Sequence, residues 1–499
     1  MTIRMLQAWN GLHQQKIVTT LSGSNEAALV AAGIATYDLD GPAENLRMAQ
    51  LATDGGGVDI VSPSLSAEFT TQALERKTRF RFQKTRPLLL ADGSYGWVSD
   101  NSTVALTTNQ PFVHPQNSAV KFNAVDCTPN NTAARIRLTG MTPFNIEDTV
   151  TIAIYATSLP ASGFAFEVGF SSDAFSTKSI RYSYSGAANQ TWYRNGVIYL
   201  TVGVAEDGTL KNGGISPGSA WTPVGGQLIT DNFNSLQVVF NGLNGLAFKV
   251  LGVWTNKKAK GKILLGFDDG ILSQYTEGFS YMRGKGIRGT LALPQDLVGL
   301  NNYCSQAQLD EMYDAGWDYV GHSSNHVDLT AQTAAVVLSE VRQNKQYIDA
   351  RYPRAADCMV YPENKYNATV TATCRRAGWR YMRAAARRYI SCDAFGLDNY
   401  DAIGSQSLST MTVQQIKDCI LSAANTGQAL WLYGHEILST NNPGGTGAAP
   451  PSNPVTAWYR DDFRAVVDYI ADLKSQGLVE DITWSELQAH LDTPVRVYL

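Results

Sequence analysis

Three of the chain's six histidines fall where an apolar run ends in a polar cluster. Lys262–Phe267 leads into Asp268-Asp269-Gly270, Trp317–Gly321 into His322-Ser323-Ser324-Asn325-His326, and Ala429–Tyr433 into Gly434-His435-Glu436. Singly, each cluster is ordinary. Paired aspartates before glycine commonly build a turn or a helix cap, and a lone histidine is usually a satisfied core or surface residue. Together, at the ends of three strands, they describe one chemistry. One carboxylate and two imidazoles bind a divalent ion while leaving positions open for water and a substrate oxygen. Adjacent residues at a strand end point different ways, so one of Asp268 and Asp269 can ligate while the other stays free as a base. A histidine from a distant strand can then protonate a leaving group.

These residues need elements that bring their strand ends to one face. After Lys257-Lys258-Ala259-Lys260-Gly261, apolar strand-like runs alternate with helical stretches. Lys262–Phe267, Gly289–Leu293, Trp317–Gly321, Cys358–Tyr361, Arg380–Arg383 and Ala429–Tyr433 read as strands. Helical periodicity covers Ala334–Tyr347, Ala368–Ala377 and Val413–Ala424. That alternation predicts a parallel α/β domain, barrel-like at this length, with its chemistry at the C-terminal ends of the strands.

Phe267-Asp268-Asp269-Gly270, the His322–His326 cluster and Leu432-Tyr433-Gly434-His435 resemble, in order and spacing, motifs of the polysaccharide deacetylases. These are the NodB-homology domains of carbohydrate esterase family 4, and the resemblance covers roughly residues 260 to 490. It implies a distorted (β/α) barrel in which Asp268 is the catalytic base and Asp269, His322 and His326 hold the metal. His435 would be the catalytic acid, and Leu432, Tyr361 and Glu363 would lie on the substrate side. Leu432 would wall the pocket for the acetyl methyl, and the Glu363 backbone N–H would contact the oxyanion. The implied cofactor is a divalent ion, zinc by default, with cobalt, nickel or iron compatible with the ligands. The implied reaction is metal-assisted hydrolysis of an N- or O-acetyl group. The third motif departs from the usual Arg-x-Pro-Tyr: the chain has Val360-Tyr361-Pro362-Glu363. The arginine that buttresses the base is absent at Val360, leaving Arg380 and Arg383 as candidates for its charge. No fourth motif is recognisable, so the partner of His435 is unassigned.

The rest of the chain reads as separate domains. At 499 residues it exceeds one ordinary core, so the whole is expected to be multidomain. Residues 1–55 are Ala-rich, with Ser22 or Ser24 capping a short helix that stops at Gly33, and form a small adaptor-like region. Residues 56–118 read as loop-rich linking sequence, 119–256 as an all-β sandwich, and 257–499 as the barrel. The sandwich is read from alternating runs such as Ala134–Leu138, Val150–Tyr155, Phe164–Phe170, Val197–Val202 and Ser235–Phe240. Trp192, Tyr193 and Trp221 are its candidates for stacking on sugar rings, against the commoner role of such aromatics as core.

Composition narrows the partners. A net charge of −4 offers no bulk attraction for nucleic acid, and no apolar run is long enough for membrane insertion. The six cysteines form no Cys-x-x-Cys pair and read as buried or free thiols. The first residues lack the apolar core of a secretory signal, which implies a chain made and left in the cytoplasm. Val18–Gly33 resembles short modules at the N-termini of phage virion and tail proteins, and a β-sandwich ahead of the barrel resembles phage-borne deacetylases. The resulting expectation is a phage or prophage tail spike or fibre. It would attach to a tail or baseplate protein through its N-terminal region, assemble as a homotrimer and deacetylate a bacterial surface polysaccharide such as capsule or O-antigen. The competing expectation is a glycan-binding receptor-recognition appendage without turnover.

Overall fold

Alternation and apolar runs of the expected lengths fold into strands across most of the chain. The computed structural model describes residues 87–492 except 132, 157–163, 187–196, 204–220, 385–388, 391–396, 398, 409–410 and 448–456. It also describes three short strands before them, β1 (Ile3–Met5), β2 (Val18–Thr19) and β3 (Ala35–Tyr37), which pair antiparallel in the order β2-β1-β3. The chain divides into two compact units: Met1–Phe82 with Asp492–Pro494, and Gln83–Leu491 with Val495–Leu499. The expected helix ending at Gly33, Trp192 and Tyr193 lie outside the described residues.

The second unit opens with β4 (Leu88–Ala91), β5 (Val98–Ser99), β6 (Val104–His114), β7 (Asn117–Pro129), β8 (Ala133–Leu138) and β9 (Thr149–Ala156). It continues with β10 (Phe164–Ser171), β11 (Ser179–Gly186), β12 (Val197–Gly203), β13 (Thr222–Val224), β14 (Ser235–Asn241) and β15 (Phe248–Asn256). One sheet has the order β13-β11-β10-β14-β8-β5, the other β12-β9-β15-β7-β6 with β4 also pairing β15. Ile136, Val168, Val238 and Phe240 of the first sheet share an apolar core with Val125, Ile152, Leu200 and Val250 of the second. The sheets begin at Leu88, well inside the stretch read as loop-rich. Its β6 strand exposes Ala105, Thr107, Asn109, Pro111 and Val113 on the open face, which reads as loop by composition although the period is that of a strand. Trp221 packs against this core, with its ring 5.4 Å from Tyr182 and 6.0 Å from Phe170, and its indole N–H donates to the Gly203 carbonyl. Half-buried, its ring is taken up by contacts with the core.

The C-terminal region is a curled, mainly parallel sheet wrapped in helices. Its strands are β16 (Gly261–Asp268), β17 (Gly289–Leu293), β18 (Asp318–Gly321), β19 (Cys358–Val360), β20 (Tyr381–Arg383), β21 (Tyr389–Ile390), β22 (Gln406–Ser407), β23 (Ala429–Gly434) and β26 (Val479–Asp481), with β24 (Glu436–Ile437) and β25 (Ala457–Trp458) forming a separate pair. The spatial order is β20-β19-β18-β17-β16-β23-β21, with β22 on β23 and β26 on β16. The helices are α1 (Ser280–Gly284), α2 (Gln306–Asp314), α3 (Ala334–Arg351), α4 (Ala368–Arg376), α5 (Val413–Thr426), α6 (Arg460–Ser475) and α7 (Trp484–Asp492). Thr333, Asn367 and Thr412 start α3, α4 and α5 by accepting from backbone N–H groups of the first turn. Outward residues such as Ile263, Leu265 and Phe267 pack beneath Val337, Ile420 and Phe463 of the helices. The topology puts the ends of β16, β18, β19, β20 and β23, which carry the residues of the candidate site, along one edge of the sheet.

Candidate active site

The site loops begin where strand pairing stops, and in the three that follow β16, β18 and β19 the backbone leaves the ordinary regions there. Asp269 (φ 79°), Ser323 (φ 59°), His326 (φ 62°), Glu363 (φ 55°) and Asn364 (φ 56°) are all left-handed without being glycine. Each such residue costs about 1–3 kcal/mol and persists only where its surroundings determine it. At Asp269 the conformation has a direct use. Asp268 ends β16 pointing into the barrel, and the left-handed turn takes Asp269 out of the strand's alternation, so both carboxylates serve one site.

Asp269, His322 and His326 converge: one ligand-capable atom from each lies within 4.8 Å of the others. Asp269 Oδ1 is 3.3 Å from His322 Nε2 and 3.2 Å from His326 Nε2. His322 Nδ1 lies 2.9 Å from the Val360 carbonyl oxygen, which only accepts, so Nδ1 carries the proton and Nε2 presents a lone pair. Asp269 Oδ1 is buried and, among the described residues, has no hydrogen-bond partner. An unpartnered carboxylate oxygen facing imidazole lone pairs fits a cation between them, and the set suits a divalent transition metal. Burial alone would raise the Asp269 pKa, but His322 and His326 outweigh it and hold the carboxyl at about 2. Burial, reinforced by His322, lowers the pKa of His326, the direction that favours the neutral imidazole a metal ligand needs.

The loop carrying both histidines is pinned from α3. Asn344 Oδ1 accepts from the His322 N–H at 2.8 Å, and Glu340 accepts from the N–H groups of Ser324 and Asn325 at 3.0 and 3.1 Å. The approach is close enough that a Cβ on Gly321 would sit 2.2 Å from the Trp379 ring and 2.6 Å from Asn344. Only glycine permits that contact.

Asp268 is buried and bound by Arg383, whose Nη2 donates to Oδ2 at 2.5 Å. The guanidinium is itself 1% exposed and lies over the Tyr433 ring at 4.1 Å and the Trp431 ring at 5.4 Å. Arg383 is the direct register partner of Val360 on the neighbouring strand. The charge missing at Val360 is thus supplied one strand over, with the β16 carboxylate still in reach. His435 Nε2 approaches the same Asp268 oxygen at 3.9 Å, and its Nδ1 is buried with no hydrogen-bond partner among the described residues.

The substrate-side expectations fare unevenly. Leu432 is fully buried among the barrel's outward core residues and does not face the site. The reason is parity. Trp431 and Tyr433 flank Arg383, so Leu432 between them points to the helix layer. Tyr433 takes the inward position, its ring 6.0 Å from His435 and its hydroxyl accepting from Asn364 Nδ2 at 3.2 Å. Tyr361 is also fully buried, stacked on Tyr366 at 4.8 Å and hydrogen-bonded to Thr371, so its side chain is structural. Glu363 is at the rim, paired with Lys365, which also binds Asp328.

Residues 255–382 match the polysaccharide deacetylase family model. The putative polysaccharide deacetylase YxkH of Bacillus subtilis is 23% identical over 118 residues, covering 24% of this chain; the chain spans 42% of that protein's length. Among solved structures, the family 4 carbohydrate esterase of Streptomyces lividans in complex with acetate is 16% identical, with 47% of this chain and 98% of that one covered at a TM-score of 0.31. The Xyl-CE4 domain of a multidomain xylanase from the hindgut metagenome of Trinervitermes trinervoides is 19% identical, covering 46% and 89% at 0.31. The chitin deacetylase of Colletotrichum lindemuthianum is 13% identical, covering 46% and 87% at 0.29.

Proposed function

We propose that this chain, which carries a polysaccharide deacetylase domain, hydrolyses acetyl groups from a carbohydrate with a divalent metal held by Asp269, His322 and His326. The observation that carries the reading is a second carboxylate, Asp268, beside that cluster: it is buried, fixed by Arg383 and faced by His435. When bound, the ion polarises the acetyl carbonyl and lowers the pKa of a water. Asp268 removes the proton from the attacking water, and the Arg383 guanidinium keeps the carboxylate aimed. The Glu363 backbone N–H would donate to the developing oxyanion. His435, across from the base, gives a proton to the departing alcohol or amine. Zinc is the default ion, with cobalt, nickel or iron as alternatives.

Acetate release from acetylated polysaccharides, measured with wild type beside Asp268→Asn, tests this. The variant should retain the metal and lose turnover by about 10²–10⁴-fold, the range for general acid–base groups. Full activity in Asp268→Asn would rule out the base assignment. The reading as a binding appendage without turnover drew on the missing arginine at Val360, and Arg383 removes that ground. We further propose, on sequence grounds, that the enzyme is a phage tail component acting on a bacterial surface polysaccharide, attached through its N-terminal region and trimeric. Light scattering at one chain mass rather than three would remove the trimer.

A further inference from the structure

Gln274 lies six residues past the base, in the π-helical turn Gln274–Phe279 that follows β16. It is 0% exposed, yet it touches neither catalytic side chain. Its amide nitrogen donates to two backbone carbonyls, that of Asp268 and, at 2.8 Å, that of His435. An amide nitrogen has two N–H donors, so both are spent joining the base's residue to the acid's. The neighbouring Ser273 Oγ accepts from the Ile437 N–H at 3.0 Å, gripping the same loop on the other side of His435. The helix can come this close because Gly278 has no side chain: a Cβ there would lie 3.0 Å from Ile437 and 3.4 Å from the Phe267 ring. β16 and β23 pair in register up to Phe267 and Gly434, so Asp268 and His435 both lie just beyond the last ladder pair. Past that point these side-chain contacts replace the ladder.

We infer that Gln274 is a positioning residue that sets the separation of His435 from Asp268, and so governs proton delivery to the leaving group. The inference rests on the reading of His435 as the acid. It predicts a dependence on the leaving group. 4-Nitrophenyl acetate expels a stable phenolate and needs no acid, whereas methyl tetra-O-acetyl-glucoside expels alkoxides that do. A loss of fold or metal slows both esters alike; a displaced acid slows only the second.

The experiment measures kcat/KM for both esters in wild type, Gln274→Leu, Gln274→Met and His435→Ala, each loaded with cobalt. The cobalt absorption spectrum reports the metal site independently, and Gln274→Met, unbranched and of similar length, serves if the leucine variant does not fold. The glucoside rate should fall about 10–100-fold in the Gln274 variants, the scale of an ångström-level misplacement. The nitrophenyl rate should stay within about threefold and the cobalt spectrum should be unchanged. Equal loss on both esters, or no loss on either, overturns the positioning role. If His435→Ala itself fails to separate the two esters, the acid assignment is wrong and the inference falls with it, a result distinct from failure of Gln274 alone.

Discussion

The buried pair of Arg383 and Asp268 concentrates the site's electrostatics in one contact. Removing one partner of a buried ion pair strands the other charge, at a cost of about 3–5 kcal/mol. Arg383→Met should therefore lower both thermal stability and turnover, while Arg383→Lys keeps the charge but loses the planar fork that stacks on Tyr433. The expected order of kcat is wild type, then lysine, then methionine, with metal content unchanged, checked by steady-state kinetics beside metal analysis. Equal activity in all three would show that the pair is structural only. The residues proposed as ligands and base could be picked out by residue type and spacing because each sits at the end of an apolar run, and the fold brings them together. Arg383 could only be narrowed to a pair with Arg380, since the choice depends on strand register. Leu432 was misplaced for a reason legible in the sequence: it lies three residues before His435, an odd offset that puts the two on opposite faces, whereas Tyr433 shares the face.

At the level of elements, α3 acts as the template for the metal loop. Glu340 and Asn344 are four residues apart on its buried face, and both are spent on backbone N–H groups of the His322–Asn325 segment. Outer partners of this kind are worth about 10–100-fold in metal affinity. Glu340→Ala or Asn344→Ala should release zinc to a competing chelator that much more readily, with the helix still formed; unchanged zinc affinity would show that the loop holds its shape unaided. The strands and long helices of this region were legible because apolar periodicity switches cleanly between two and 3.6 residues. β6 was not, because an open-faced strand rich in threonine and asparagine has the composition of a loop. Two buried polar residues at helical spacing were the available signal for the α3 template.

Across the whole molecule, the β6–β7 hairpin tip joins the sheet region to the barrel. Gln116 donates to Asn399 and Asp401 and accepts from the Tyr400 N–H, and His114 sits edge-on to the Tyr400 ring at 5.9 Å. Tyr400 in turn accepts through its carbonyl from Met382, beside Arg383. Burial, only partly opposed by the nearby Leu397 backbone, lowers the His114 pKa to about 4. The unfolded chain, protonating near 6.5, takes up a proton that the folded chain refuses. Stability is therefore undiminished above pH 6.5 and falls as pH drops toward 4, by on the order of 3 kcal/mol in total. His114→Phe should flatten this part of the profile in thermal melts between pH 7 and 4; an unchanged slope would place the acid sensitivity elsewhere.

The position of β16 has a consequence for how the chain is made. It is the hub of the barrel, paired on one side by β17, which follows at once, and on the other by β23, which is synthesised only after most of the domain. Until then a fully buried strand, Gly261–Asp268, shows a bare hydrogen-bonding edge. Such edges template association with other chains. A nascent or truncated product ending near residue 382, where the family match stops, is expected to aggregate rather than fold.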